Sequence, residues 1–337
     1  MTTEPPRLRT SIGTKPTRAG IGVYRRSAGW GSVFICVLLI GGAAGAVQYE
    51  VGVTSRTFTK TSVTSGEPRS LLTVIWYPAV PGSGTEEALG RRDADVVDKA
   101  FPWIVFSHGN CGLPTESSYL TMALASRGFV VAAPSHTGNT KNDPNCAANF
   151  ADSFANRVPD VVFIVDSMLA ESADGSSRFA DRLRPDQVGI TGLSFGGFTT
   201  LLAAQREARF RAAVAMVPGG SAALDRDDIT IPTMVIGGEH DIVVGFAESE
   251  RAYAHLAGPR FLIELLAANH LAVTDSCFPL CLPDDIPQAA AHRLVQHYVL
   301  VFFRRFLAQG YTSGAGAIRP LPRMRLTADP WPTGEHR

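Results

Sequence analysis

Gly192-Leu193-Ser194-Phe195-Gly196 joins two different periodicities. Before it, Gln187 to Thr191 reads as a buried β-strand; after it, Phe195 to Arg206 reads as a helix. A strand-to-helix turn this tight forces its central residue into a strained backbone conformation. The flanking positions need glycine, because a side chain there collides with the adjoining strand or helix. The turn therefore holds one hydroxyl out at the carboxyl edge of a sheet, in front of a helix N-terminus. A bare G-x-S-x-G arises by chance in roughly one chain of this composition in five, so its meaning rests on the surroundings.

Outward from that turn, short apolar strands alternate with amphipathic helices. Val51–Phe58 and Leu71–Tyr77 read as an antiparallel start, and Trp103–Ser107 and Phe129–Ala133 as buried strands. Helices are expected near Tyr119–Arg127, over Phe154–Ala170 and from Pro287 to about Ala308. Further strands follow at Ala212–Val217, Thr233–Ile236 and Phe261–Leu265. The pattern predicts an α/β fold with a mostly parallel sheet covered on both faces, in one catalytic domain over residues 48–310.

A serine hydroxyl needs a base to take its proton and an acid to orient that base. In strand-to-helix nucleophile turns of this kind the acid follows the serine and the histidine comes last. Thr233 to Ile236 runs into Gly237-Gly238-Glu239-His240-Asp241, which places Asp241 at the same sheet edge as Ser194, with Glu239 as the reserve. Phe261 to Leu265 then leads to Asn269-His270. Of the eight histidines, His255, His292 and His297 fall on helices, His336 lies near the end and His240 sits beside Asp241; His270, a few residues past an apolar strand, is the choice of base. Two backbone N–H groups are expected to hold a developing oxyanion: Phe195 at the helix start, and Asn110 in the loop Phe106-Ser107-His108-Gly109-Asn110-Cys111-Gly112. His108 is read as fixing that loop by hydrogen bonds rather than as a base.

The ends differ from the middle. Residues 1–27 form a basic tail, with Arg7, Arg9, Lys15, Arg18, Arg25 and Arg26 against Glu4. The uncharged run from Ala28 to Val47 is long enough to span a bilayer, which takes about 20 residues. It reads either as a membrane anchor with its N-terminus inside or as a signal peptide ending near Ala44-Gly45-Ala46. Both predict an extracytoplasmic body, anchored or secreted. Cys111, Cys146, Cys277 and Cys281 permit two disulfides in three connectivities. Pairing Cys111 with Cys146 and Cys277 with Cys281 is the expected one, because the first bond braces the Asn110 loop. Residues 311–337, with four prolines and scattered arginines, read as a loose tail. A net charge of zero gives no argument for nucleic acid, and no Cys or His spacing suggests a metal.

Taken in order, Phe106-Ser107-His108-Gly109, Ala133-Pro134-Ser135-His136-Thr137-Gly138-Asn139-Thr140, Asn156-Arg157-Val158-Pro159-Asp160-Val161 and Gly192-Leu193-Ser194-Phe195-Gly196-Gly197 carry a resemblance. From Tyr49 to Leu307 the chain resembles the α/β-hydrolase branch that groups dienelactone-hydrolase-like proteins, platelet-activating-factor acetylhydrolases and bacterial polyester hydrolases. The resemblance implies Ser194, Asp241 and His270 as a triad, with Asn110 and Phe195 at the oxyanion hole. The chain departs from the branch in carrying Ser194 where dienelactone hydrolases use cysteine, Leu193 where histidine is common, and Ser135-His136-Thr137-Gly138 for an Asp-His-Pro-Gly turn. Only about twelve residues separate Val217 from Thr230, where many relatives insert a helical cap, so a small or absent cap and an open cleft are expected. The functional expectation is a carboxylic-ester hydrolase working through an acyl-enzyme on a small-molecule, lipid or polyester substrate, without a cofactor. The alternatives are a thioesterase or peptidase using the same residues, and a catalytically silent binding protein at the membrane surface.

Overall fold

In the computed structural model the described residues are 47–224, 229–308 and 318–329. The basic tail and the apolar run lie outside them, except for Val47 at the end of the run. The chain opens with the antiparallel pair β1 (Glu50–Thr61) and β2 (Pro68–Ala79), followed by two three-residue strands, β3 (Thr85–Glu87) and β4 (Gly90–Arg92). Then come β5 (Phe101–Ser107), α1 (Ser118–Ser126), β6 (Val130–Pro134) and α2 (Phe150–Ala173). The strand β7 (Leu183–Leu193) runs into α3 (Phe195–Arg206), and β8 (Phe210–Met216), β9 (Thr233–Gly238), α4 (Phe246–Ala254) and β10 (Arg260–Leu265) complete the parallel half. The long helix α5 (Gln288–Phe306) and a last strand, β11 (Met324–Ala328), follow.

These strands form one sheet in the order β11-β10-β9-β8-β7-β5-β6-β2-β1-β4-β3. The central strands from β10 to β6 are mutually parallel. Every residue of β5 is buried, and alternation splits its side chains between two cores. Trp103 and Val105 join the core packed on α2 and α3, whereas Ile104 and Phe106 join the one packed on α1 and α5. That is why β5 reads as a continuous apolar run.

Both β6 and β7 pair with β5, on opposite sides, so the winding reverses between β5 and β7. The loops leaving the carboxyl ends of those two neighbours diverge there and leave a crevice. The chain puts Asn110 on one loop and Ser194 on the other.

The expected loose tail is corrected in part. Met324–Ala328 pairs antiparallel with β10 as the edge strand. Its alternation buries Met324 and half-buries Leu326, while Arg325 points outward to Glu264 at 2.7 Å. Proline and arginine content masked this short period-2 pattern. Helix α2 begins one turn before its expected start, which adds Phe150 to its exposed face. Between β8 and β9 the described residues contain a single 3-10 turn, Ser221–Ala223.

Candidate active site

The turn after β7 takes the strained form that its sequence predicts. Ser194 has φ 54° and ψ −121°, a left-handed conformation that costs a non-glycine residue about 1–3 kcal/mol. Its neighbours are glycine for want of space. A Cβ on Gly192 would sit 2.4 Å from the Ser107 carbonyl oxygen, and one on Gly196 would sit 1.9 Å from it. The Ser194 N–H donates to the Met216 carbonyl at 2.9 Å, tying the turn to β8.

Three separate loops converge on the Ser194 hydroxyl. Nε2 of His270 lies 3.0 Å from Ser194 Oγ, and Nδ1 lies 2.7 Å from Oδ2 of Asp241. The other Asp241 oxygen accepts from the N–H groups of Val243 and Val244 at 2.9 and 3.0 Å. Burial pushes the Asp241 carboxyl upward, but the His270 hydrogen bond and the two amides outweigh it and hold it below the ordinary range. An ionised carboxylate there fixes the Nδ1–H tautomer, which leaves Nε2 to accept the serine proton. Glu239, the reserve acid, turns away and accepts from Ala267 N–H at 2.9 Å. The His270 turn is itself held by Asn269, whose Oδ1 accepts from Leu271 N–H at 2.9 Å.

Asn110, Ser194 and Phe195 line a cavity of about 370 Å³ together with Phe150, Phe154 and Phe198. The rings are ordered: Phe150 stacks on Phe195 with centroids 4.8 Å apart, and Phe154 on Phe198 at 5.7 Å. As the first residue of α3, Phe195 has an N–H with no intrahelical acceptor. The Asn110 loop is braced by the Cys111–Cys146 disulfide, and Cys277 pairs with Cys281. Both bonds match the expected connectivity.

Sequence reasoning missed Arg157 and Glu116. Fully buried Arg157 donates to the carbonyls of His108 and Gly109 at 2.5 and 2.8 Å and to Asn139 Oδ1 at 2.6 Å. Its guanidinium lies 4.3 Å from the Phe195 ring centre, so one side chain touches both limbs of the crevice. Burial brings its pKa down to about 9. Glu116 accepts from the Gly109 N–H, and burial pushes its carboxyl up to about 7 against that bond. The run Asn156-Arg157-Val158-Pro159-Asp160 carries one physical signal for this role, an arginine on the buried face of a helix. His108 fixes the loop as expected. Its Nδ1 lies 2.8 Å from Gly109 O and its Nε2 accepts from His136 N–H at 3.0 Å, while burial and Arg157 hold its pKa well below normal.

The PET hydrolase-like family profile matches residues 97–282, more than half of the chain, across the crevice and most of the parallel sheet. The chain belongs to the PET hydrolase-like family. It is similar to cutinase est2 of Thermobifida alba, with 28% identity over 205 residues covering 57% of this chain. It is also similar to a bis(hydroxyethyl) terephthalate hydrolase of Streptomyces coelicolor, with 25% identity over 260 residues covering 76% of this chain and 68% of that protein. The chain spans 63 and 64% of the length of the two Thermobifida alba cutinases that it matches. In fold it matches a ferulic acid esterase from Streptomyces cinnamoneus with a TM-score of 0.67 at 20% identity, covering 84% of this chain and 98% of that one.

Proposed function

We propose that this PET hydrolase-like protein is an extracytoplasmic serine hydrolase of carboxylic esters. The observation that carries the reading is the hydrogen-bond chain from Ser194 through His270 to Asp241, opening on an apolar cavity. In the proposed reaction, His270 Nε2 takes the Ser194 proton as Oγ attacks the ester carbonyl carbon. The N–H groups of Asn110 and Phe195 stabilise the carbonyl oxygen as it becomes negative. Asp241 orients the imidazole and stabilises its charged form. His270 then gives its proton to the leaving alkoxide oxygen, the alcohol departs, and the acyl group remains on Ser194. Water attacks that acyl carbon with His270 as base again, which releases the acid and restores the serine proton.

The substrates we infer are polyesters and small esters of the bis(hydroxyethyl) terephthalate kind, acted on in an uncapped cleft. The names of the relatives and the ordered phenylalanines beside Ser194 support this. A cavity of about 370 Å³ suits one acyl unit rather than a long chain. The two disulfides support an exported body, built on residues 48–310; residues 28–47 would lead it as a membrane anchor or as a cleaved signal peptide. Among the described residues no helix is long and apolar enough to cross a membrane.

The test is Ser194→Ala in the full chain, assayed on p-nitrophenyl esters of increasing length, bis(hydroxyethyl) terephthalate and a polyester film. Loss of hydrolysis across the panel is expected. Hydrolysis unchanged by the substitution overturns the proposal.

A further inference from the structure

The 3-10 turn His270–Val273 carries the base of the Ser194 site. A turn of that length cannot satisfy its later carbonyls from within. Four successive ones, from Leu271 to Thr274, accept from side chains near the starts of α5 and α1. The two N–H bonds of the Gln288 amide serve three of them, Thr274 at 2.6 Å, Leu271 at 3.3 Å and Ala272 at 3.4 Å. Nε2 of His292 lies 2.7 Å from the same Thr274 oxygen, and the His292 ring stacks on Tyr119 with centroids 3.7 Å apart. From the start of α1, Ser117 Oγ and Tyr119 Oη donate to the Val273 carbonyl at 2.9 and 3.2 Å.

Both sets of donors stand on fixed elements. Gln288 is the first residue of α5, which buries Val295, Val299, Phe302 and Phe303 in the core. At α1, Asp275 accepts from the N–H groups of Ser118 and Tyr119 at 3.0 and 3.1 Å, and its own N–H donates to the Glu116 carbonyl at 2.8 Å. The Glu116 carboxyl in turn accepts from the N–H of Gly109, beside Asn110. The His270 turn and the oxyanion loop therefore share one frame. We propose that Gln288 is a positioning residue for ester hydrolysis: by gathering three carbonyls of the turn it holds His270 Nε2 on Ser194 Oγ. The proposal rests on the serine-hydrolase reading given above. A misplacement of about 1 Å among reacting groups can cost about 10²-fold in rate. Gln288 does not line the Ser194 cavity, so its effect falls on kcat rather than on KM.

The test sets Gln288→Leu against Gln296→Leu in the full chain, with p-nitrophenyl acetate as substrate. Gln296 lies two turns further along α5 and donates to the Tyr119 carbonyl at 2.9 Å, so its loss costs a bond of the same kind away from the His270 turn. Gln288→Leu is expected to lower kcat by about 10- to 100-fold with KM within about twofold. Gln296→Leu should leave kcat within about twofold. A second readout is the downfield proton resonance of His270 Nδ1–H on Asp241, assigned by its absence in His270→Ala. It should shift or broaden in Gln288→Leu and stay in place in Gln296→Leu. Gln288→Asn keeps the amide one methylene short of the carbonyls, and it decides if the leucine variant fails to fold, with a loss in kcat of about fivefold or more. Unchanged kcat in the Gln288 variants, an equal loss in Gln296→Leu, or an unmoved resonance overturns the proposal. Full hydrolysis by Ser194→Ala would instead remove the serine-hydrolase reading itself, which separates the two failures.

Discussion

Among the described residues the protein holds two Ser–His–Asp hydrogen-bond chains, and only one opens on a cavity. In the first, Ser194 Oγ, His270 and Asp241 are linked at 3.0 and 2.7 Å. In the second, Ser107 Oγ lies 2.9 Å from His136 Nε2, and His136 Nδ1 lies 3.0 Å from Asp160 Oδ2. The residue types, their order along the chain of bonds and the distances nearly coincide, yet the surroundings differ in every respect that chemistry requires. Ser107, His136 and Asp160 are each 0% exposed, so no ester reaches them. Asp160 is already engaged by Arg69 through two hydrogen bonds at 2.9 Å, with Lys60 at 3.6 Å. Burial and the charges of Arg157 and Arg69 hold the His136 pKa well below normal, which disfavours the imidazolium that a general base must become. Ser107 ends a regular strand, whereas Ser194 is thrust out by a left-handed turn. The comparison teaches that a triad is defined by access and field as much as by its three side chains.

Substitution at the two serines should break the comparison most sharply. Ser194→Ala is expected to cut turnover of p-nitrophenyl acetate by about 10⁴-fold or more. Ser107→Ala should leave it within about threefold, and a comparable loss at both positions would mean that the sealed chain takes part in catalysis. The two aspartates should then separate activity from stability. Asp241→Asn should lower kcat by on the order of 10⁴-fold with little change in melting temperature. Asp160→Asn should do the reverse, because it removes the buried anion that Arg69 and Lys60 share and leaves Arg69 only Asp152 at 3.6 Å. That costs about 3–5 kcal/mol, or on the order of 10 °C in a thermal melt.

Arg157 links the two chains, since it donates to Ser107 Oγ at 3.3 Å and also holds the carbonyls beside Asn110. Arg157→Lys keeps a cation but loses the planar fork. It should lower kcat by about 10- to 100-fold with KM nearly constant, the signature of a misplaced oxyanion donor. A rise in KM alone would show that Arg157 shapes binding instead.

The smallest effect is a pH-dependent one at Glu116. Its carboxyl titrates at about 7 in the folded protein against an ordinary value of 4.5, so the folded state holds a proton that the unfolded chain has released. Its contribution to stability is therefore fully present below about pH 4.5 and lost as pH rises through about 7. Between pH 4.5 and 8 the melting temperature of the wild type should fall by a few degrees more than that of Glu116→Gln. Parallel curves for the two proteins would place the Glu116 titration elsewhere.

Much of the exposed chain was readable before folding because its signals are local. The glycines around Ser194 answer to atoms within one turn and its neighbouring strand, and Asp241 and His270 each follow an apolar strand by a few residues. Glu239 and Asp241 were harder to separate, since two residues apart on one turn leave the choice to the direction in which each side chain points. Arg157, Glu116 and the edge strand Met324–Ala328 were not legible. Each acts on a partner far away in sequence, as when Arg157 holds Gly109 across 48 residues and Met324 pairs with Leu265 across the sheet edge.

By itself the sequence determined the parallel α/β layering, the strained turn at Ser194 and the order serine, acid, histidine. Alternation of burial and the size of a Cβ act over a few residues and leave their mark in the string. Only the tertiary structure decided which of two Ser–His–Asp chains faces a cavity, and that Arg157 spans both limbs of the crevice. Exposure and electric field are sums over residues brought together from across the chain, so no short stretch records them.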